Sequence, residues 1–130
     1  MVPCDVFLLH DSATVNLSFH KTDDDDPTHR STVSDIAYAD FDAAQESMQT
    51  RFIRYGEQLR SMVKQAMAVD GVPLSDDKYK RLCADGIVNE FTRTPEESLG
   101  EDCHVKISWK IKEETFTASR YLWIQYVELV

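Results

Sequence analysis

The strongest constraint on this chain is an apolar stripe of seven side chains between Asp42 and Val69. They recur at spacings of 4, 3, 4, 3, 4 and 3 residues: Met48, Phe52, Tyr55, Leu59, Met62, Ala66 and Val69. Such spacing puts every member on one side of an α-helix, whereas the alternate positions of a strand would mix charged with apolar residues. The stripe therefore predicts a long amphipathic helix that offers an apolar face for packing.

Residues that favour helix ends bound this segment. Asp42 can accept hydrogen bonds from the first free backbone N–H groups, and Gln45 stands where a capping box places its partner. Gly71 can adopt the left-handed conformation that commonly ends a helix. The sequence thus predicts a helix from Asp42 to about Gly71.

The first forty residues predict strands. Val6 to His10 and Val15 to His20 are apolar-rich runs, and the polar Asp11 to Thr14 between them reads as a hairpin turn. Thr32 to Phe41 is the third expected strand. The acidic loop at Asp23 to Asp26 lacks the ligand spacing and central glycine of a calcium loop, so a solvated loop is the expectation.

The second half predicts a short helix and then strands. The helix begins at Ser75 and stops at Gly86, and Ile87 to Thr92 is the next expected strand. A hairpin with a turn at Glu113-Glu114 follows, because apolar side chains alternate with polar ones in its first arm: Val105, Ile107, Trp109 and Ile111.

The last ten residues, Tyr121 to Val130, are apolar on both sides of the expected strand. A strand of this kind is central, with the helix expected on one face and further strands on the other. The predicted class is α+β: one domain, residues 1–130, built as a small antiparallel β-sandwich or barrel-like head with a helix–turn–helix insertion. Because the apolar pattern is still running at Val130, we expect a further segment after it.

Composition narrows the class of partner. The chain has 14 basic and 23 acidic residues, a net charge of -9, which argues against direct binding of nucleic acid or an anionic membrane by this domain. Three cysteines without CxxC spacing, no signal peptide and no apolar run near the roughly 20 residues of a membrane helix predict an intracellular protein.

No constellation of residues predicts chemistry. The four histidines lie on separate elements, and the motifs GxSxG, GxxxxGK[ST] and GxGxxG are absent. Cys103 and His104 are adjacent in a strand, so their side chains point to opposite faces and cannot form a catalytic pair. We therefore expect no catalytic residue, no metal and no cofactor, and a protein that is not an enzyme.

The informative side chains are those expected to be exposed. Phe116 follows the hairpin turn. Basic side chains line the polar side of the hairpin strand at Lys106, Lys110 and Lys112, and the polar side of the long helix at Arg51, Arg54 and Arg60. They form either a solvated basic surface or a partner-binding face with Phe116 as its apolar anchor. Trp109 and Trp123 fit either the core or an interface.

Three segments resemble a known family. Ser31 to Ile36 (STVSDI), Arg54 to Arg60 (RYGEQLR) and Cys103 to Phe116 (CHVKISWKIKEETF) are similar to segments of the head domain of the ligase IV scaffold protein of non-homologous end joining. Its structural relatives include paralogous end-joining factors and the head of the centriolar cartwheel protein. This chain differs in a longer insertion, Val72 to Asp102, and lacks the tryptophan of the family's early strand.

The resemblance implies a non-catalytic head followed by a dimerising coiled coil, with weak contacts to other heads and to other scaffold proteins. The family's head contact corresponds here to Arg54, Lys110 (or, in another register, Trp109) and Phe116. End joining in the nucleus is the leading expectation, and assembly of the centrosome or basal body is the alternative. A second alternative is a dimeric adaptor that binds peptides by strand addition, with the C-terminal strand at the centre of its dimer.

Overall fold

The computed structural model describes residues 4–17 and 28–129, which form one antiparallel sheet with two helices. The elements in chain order are β1 (Cys4–Leu17), β2 (Thr28–Tyr38), α1 (Phe41–Ala66), α2 (Asp76–Ala84), β3 (Val88–Arg93), a 3₁₀ turn (Pro95–Ser98), β4 (Asp102–Ile111) and β5 (Glu114–Leu129). The five strands lie in the order β2-β1-β5-β4-β3. This confirms the predicted α+β class. Sandwich or barrel closure is not confirmed, because the described strands form a single sheet.

β5 is the central strand, as its two apolar sides predicted. It pairs over Cys4 to Leu17 with β1 and over Asp102 to Ile111 with β4. Both of its edges are therefore occupied from Phe116 to Trp123, whereas beyond Trp123 it pairs with β1 alone among the described residues. A strand-addition dimer centred on the C-terminal strand stays a prediction. The outermost strands of the described sheet are β2 and β3.

The expected turn at Asp11 to Thr14 is wrong. These residues continue β1, and each pairs with residues of both β2 and β5. Asp11 is 4% exposed and is bonded to Arg51 and Arg120. The polar character of Asp11 suggested a turn, but its carboxylate instead forms a buried ionic contact. The predicted end of the second strand and the acidic loop at Asp23 to Asp26 lie outside the described residues.

The long helix is confirmed, with shifted ends. Its N-cap is Asp40, whose carboxylate accepts from the Ala43 N–H at 2.7 Å. Gln45 instead donates to the Gly100 carbonyl at 3.3 Å. The helix ends at Ala66, and Gly71, at φ +77°, sits in a tight turn closed by reciprocal Val69–Val72 backbone hydrogen bonds.

The core lies between α1 and the facing side of the sheet. Its best-buried side chains come from α1 and four strands: Leu9, Met48, Val63, Val88, Cys103, Val105, Ile107 and Leu122. The apolar stripe predicted this face at Met48, Tyr55 and Leu59, but Val69 lies beyond the helix and is 62% exposed. The second helix, β3 and the β4–β5 hairpin are confirmed, but the hairpin turn lies at Lys112-Glu113, one residue before the predicted Glu113-Glu114, because Glu114 already pairs with Ile111.

Phe116 belongs to this core, and the expectation that it is exposed is wrong. The side chain is 9% exposed, and its ring stacks on that of Trp109 at 5.7 Å between centroids. Its register opposite Trp109 puts both rings on the side of the sheet that faces α1. Position beside a turn did not reveal this, because the inward or outward direction of the side chain depends on strand register.

We predict that Phe116→Ala lowers the free energy of unfolding by about 3 kcal/mol, since it removes most of a buried ring. Urea denaturation followed by circular dichroism measures the change. Phe91→Ala is the matched control, because Phe91 is 53% exposed and its truncation should cost under about 1 kcal/mol. Equal losses in the two variants would contradict the burial of Phe116.

Candidate interaction surface

The two faces of the sheet differ in what covers them. The helices pack on one side, whereas no described element packs on the opposite side, which we call the outer face. Strand register assigns its central side chains: His10 and Ser12 of β1, Ser119, Tyr121 and Trp123 of β5, His104 and Lys106 of β4, and Phe91 and Arg93 of β3. The outer face thus combines aromatic, hydroxyl and basic groups.

Five rings cross the outer face as a continuous aromatic row: Phe91, His104, Tyr121, Trp123 and His10. Successive centroids are 5.6, 5.6, 5.0 and 4.7 Å apart, and the row runs from β3 through β4 and β5 to β1. Contacts at these distances and tilted angles are favourable. The rings therefore hold one another in place and are partly buried, except Phe91, which is 53% exposed.

Polar contacts fix the middle and one end of the aromatic row. In the middle Asp102 accepts from Arg93 at 2.9 Å and from the Tyr121 hydroxyl at 2.8 Å. At the β1 end the His10 ring nitrogens lie 2.6 Å from Asp35 Oδ1 and 2.8 Å from Gln125 Oε1. These bonds orient the rings without any partner, so the surface is preorganised.

The outer face is locally basic on an acidic domain. It carries Arg93, Lys106 and Lys110 against the two carboxylates Asp35 and Asp102, although the whole chain has a net charge of -9. Both carboxylates already have partners on this face. Lys106 and Lys110 are exposed and form no ion pair with the residues that the structure describes. Two cations are thus available beside the aromatic row.

The structure does not bring the three predicted interface residues together. Lys110 is exposed on the outer face, and its neighbour Trp109 is 3% exposed on the helix-facing side. Arg54 is exposed on α1, which covers that helix-facing side. Arg54 and Lys110 therefore lie on opposite sides of the sheet, with Phe116 buried between. Their roles in an interface stay predictions.

Trp123 and Tyr121 are two members of this surface that the sequence leaves open. Trp123 fits either the core or an interface, and Tyr121 belongs to a strand that is apolar on both sides. The signal was the alternation Tyr121, Trp123, Gln125 against Leu122 and Ile124. It became readable once β5 was known to be covered by helices on one face only.

A second polar cluster is buried on the helix-facing side. Asp11 accepts from Arg120 at 2.9 Å, from Arg51 at 3.3 Å and from the Tyr55 hydroxyl. The Arg120 guanidinium also lies 3.5 Å from the Tyr55 ring centroid. Burial, followed by the hydrogen bond to Asp11, raises the pKa of Tyr55, which keeps this hydroxyl a donor. The cluster joins α1 to β1 and β5, and with every member bonded it is structural.

Reactive chemistry finds little support among the described residues. Cys103 and His104 lie on opposite faces, which confirms that they cannot pair. Burial raises the pKa of the Cys103 thiol to about 12, so it is not a nucleophile at neutral pH. Within residues 4–17 and 28–129, no group of three or more His, Cys, Asp or Glu side chains could hold a metal ion. In the same ranges, no helix is long and apolar enough to cross a bilayer.

No family model, no curated protein and no solved structure matches this chain.

We predict that removing the Asp11 carboxylate destabilises the fold by about 3 kcal/mol, because two buried or half-buried guanidinium groups lose their counter-charge. Asp11→Ala tests this in urea unfolding. Asp35→Ala is the control, since the Asp35 side chain is 52% exposed and its ion pair is worth under about 1 kcal/mol. Similar losses at both positions would contradict the role of the cluster.

We predict that acidification destabilises the domain through His104. Desolvation, then the nearby Arg93 and Lys106, lowers the pKa of this imidazole, with Asp102 opposing. A histidine whose pKa is lower when folded binds protons more readily when unfolded, so stability falls as pH drops below about 6.5. Urea unfolding at pH 7.5 and 5.0 measures the loss, and His104→Gln should reduce it. An unchanged pH dependence in this variant would contradict the assignment.

Proposed function

We propose that this domain is a non-catalytic protein-interaction head of a coiled-coil scaffold, which acts through dimerisation and head–head assembly in DNA double-strand-break repair by non-homologous end joining. The observation that carries the interaction role is the aromatic row on the outer face. Large aromatic and arginine side chains are enriched at protein interfaces, where they bury apolar area with little loss of conformational entropy. A preorganised row beside two lysines that form no ion pair with the described residues fits such a role.

The choice of end joining rests on the three segments that resemble the ligase IV scaffold head. The five-stranded antiparallel sheet with two helices is compatible with a small head domain. Centriole or basal-body assembly is the alternative within the same superfamily. The proposal includes no cofactor, no membrane and no direct contact of this domain with nucleic acid.

The structure changes which surface the proposal uses. Phe116 is core, so it can affect a contact only by supporting the fold. Arg54 on α1 and Lys110 on the outer face belong to two separate surfaces. A head with two contact surfaces can build a chain of heads, since each copy then contacts two neighbours. We keep Arg54 and Lys110 as members of different contacts.

The edge strand β3 supports a second candidate function, peptide binding by strand addition. β3 has only β4 as a strand neighbour, which leaves its other edge without a strand partner in the described sheet. A groove of about 250 Å³ lies between β3 and α1, and Phe52, Ile53, Gly56 and Thr92 contribute to its lining. An extended peptide with one apolar side chain fits such a groove. A single copy of the domain would then bind the peptide without forming a dimer.

We predict weak, reversible self-association of the 130-residue domain. Sedimentation velocity from about 10 µM to about 1 mM covers the affinities expected of such a contact. The weight-average sedimentation coefficient should rise with concentration. A strict monomer over this range would overturn head–head assembly and leave the peptide adaptor as the better candidate.

The cellular process has its own test. A fluorescent fusion of the full-length protein should accumulate in nuclei at laser-induced double-strand breaks. Accumulation at centrioles instead would replace the proposed process by the alternative. Absence from both places would overturn the assignment to this superfamily.

A further inference from the structure

We propose that the outer face is the self-association surface of this domain: two copies pack these faces together about a two-fold axis that runs along β5. This inference rests on the proposed function, because it supplies the surface for head–head assembly. It differs from the contact expected at Arg54, Lys110 and Phe116.

The first argument is the position of the aromatic row in the sheet. β5 is the third of five strands, so two strands lie on each side of it. Trp123 and Tyr121 project from β5 at the centre of the outer face, and Leu8 and Val127 extend the apolar area towards one end. A two-fold axis along β5 places the two Trp123 rings against each other. Central aromatic residues are the usual hot spots of an interface.

The second argument is charge complementarity within the same face. The β3 and β4 side carries Arg93, Lys106 and Lys110, whereas the β2 side carries Asp35, which is 52% exposed. Rotation about β5 places β3 and β4 of one copy over β2 and β1 of the other. Arg93 is in register with Tyr121 and Asp35 with Trp123, so the two residues are offset by two positions along the strands. The Arg93 guanidinium spans this offset, because it bonds to Asp102, which is level with Trp123, and it therefore lies near Asp35 of the second copy, twice by symmetry. An isologous contact requires this kind of self-complementary surface.

The third argument is the area. Five strands about 4.8 Å apart make a face about 19 Å wide, and about eight residues of strand length at roughly 3.3 Å per residue make it about 26 Å long, which gives roughly 500 Å². Two such faces bury about 1,000 Å² in total, which is at the lower end of specific interfaces. Stacked sheets pack about 10 Å apart with aligned strands, and the hydroxyl groups around the row allow a close approach. The geometry therefore fits a weak, reversible dimer.

A single-stranded nucleic acid is the other occupant that aromatic rings on a sheet suggest. Two observations favour a second copy. The rings of the row contact one another edge-on or at tilted angles, and the Trp123 ring stacks on that of His10, so they offer few free ring faces for base stacking. The net charge of -9 repels phosphates, whereas Arg93 and Asp35 suit an acidic–basic contact between copies.

Trp123→Lys is the central test, because the axis would bring two like charges together. The dissociation constant should rise by about thirtyfold or more, the effect typical of a central tryptophan. Gln58→Lys is the matched control: it adds the same charge at an exposed position of α1 and should leave association unchanged. Trp123→Phe should retain most of the affinity. Circular dichroism checks that each variant is folded.

A mixing experiment tests the two-fold axis itself. Asp35→Lys and Arg93→Glu should each weaken association alone, because each creates two repulsive pairs per dimer. A mixture of the two variants should recover association, since it contains one native Arg93–Asp35 pair and one exchanged Glu–Lys pair. Recovery supports the geometry, and a mixture as weak as its components overturns it.

Tryptophan fluorescence gives an independent readout. The chain has two tryptophans, and Trp109 is already 3% exposed, so a concentration-dependent blue shift reports burial of Trp123. If Trp123→Lys leaves association unchanged and the fluorescence shows no blue shift, the outer face is not the self-association surface, but the proposed interaction function still holds. Absence of any association would overturn both. Binding of single-stranded oligonucleotide without self-association would assign the face to nucleic acid.

Discussion

The rest of the structure depends on the pairing of β5 with β1 on one side and β4 on the other. From Phe116 to Trp123 β5 bonds to strands from both ends of the chain, so the N-terminal and C-terminal halves form one sheet. Alternate side chains of β5 therefore lie on opposite faces of the sheet. Ala118 and Leu122 are fully buried against the helices, whereas Tyr121 and Trp123 lie on the outer face. One strand thus carries both the core and the candidate interaction surface.

Two polar clusters hold that strand in register from its two faces. On the helix-facing side Arg120 bonds to Asp11, which also binds Arg51 and Tyr55 of α1. On the outer face Tyr121 bonds to Asp102, which Arg93 also holds. A one-residue slip of β5 would bury Tyr121 and expose Leu122, so these bonds and the core favour the same register. The aromatic row is therefore built by forces that need no partner, which is why it is available for one.

The distribution of charge over the surface differs from what the net charge of the chain suggests. The net charge of -9 describes the whole chain, yet the outer face has more cations than carboxylates. A negative net charge lowers non-specific binding to polyanions. It does not prevent a locally basic surface from contacting an acidic surface. The proposed two-fold contact uses this asymmetry within one face, which composition cannot reveal.

The sequence by itself determined the elements whose signals are local. The spacing from Met48 to Leu59 gave α1, Ser75 gave the start of α2, and the alternation of Val105 to Ile111 gave β4, because periodicity and capping act over a few residues. Only the tertiary structure decided what depends on partners distant in the chain. Asp11 looked like a turn residue until Arg51 and Arg120 supplied its counter-charges, and Phe116 looked exposed until register set it on Trp109. The outer face belongs to this second class, since its five rings come from four strands and meet only when the sheet has formed.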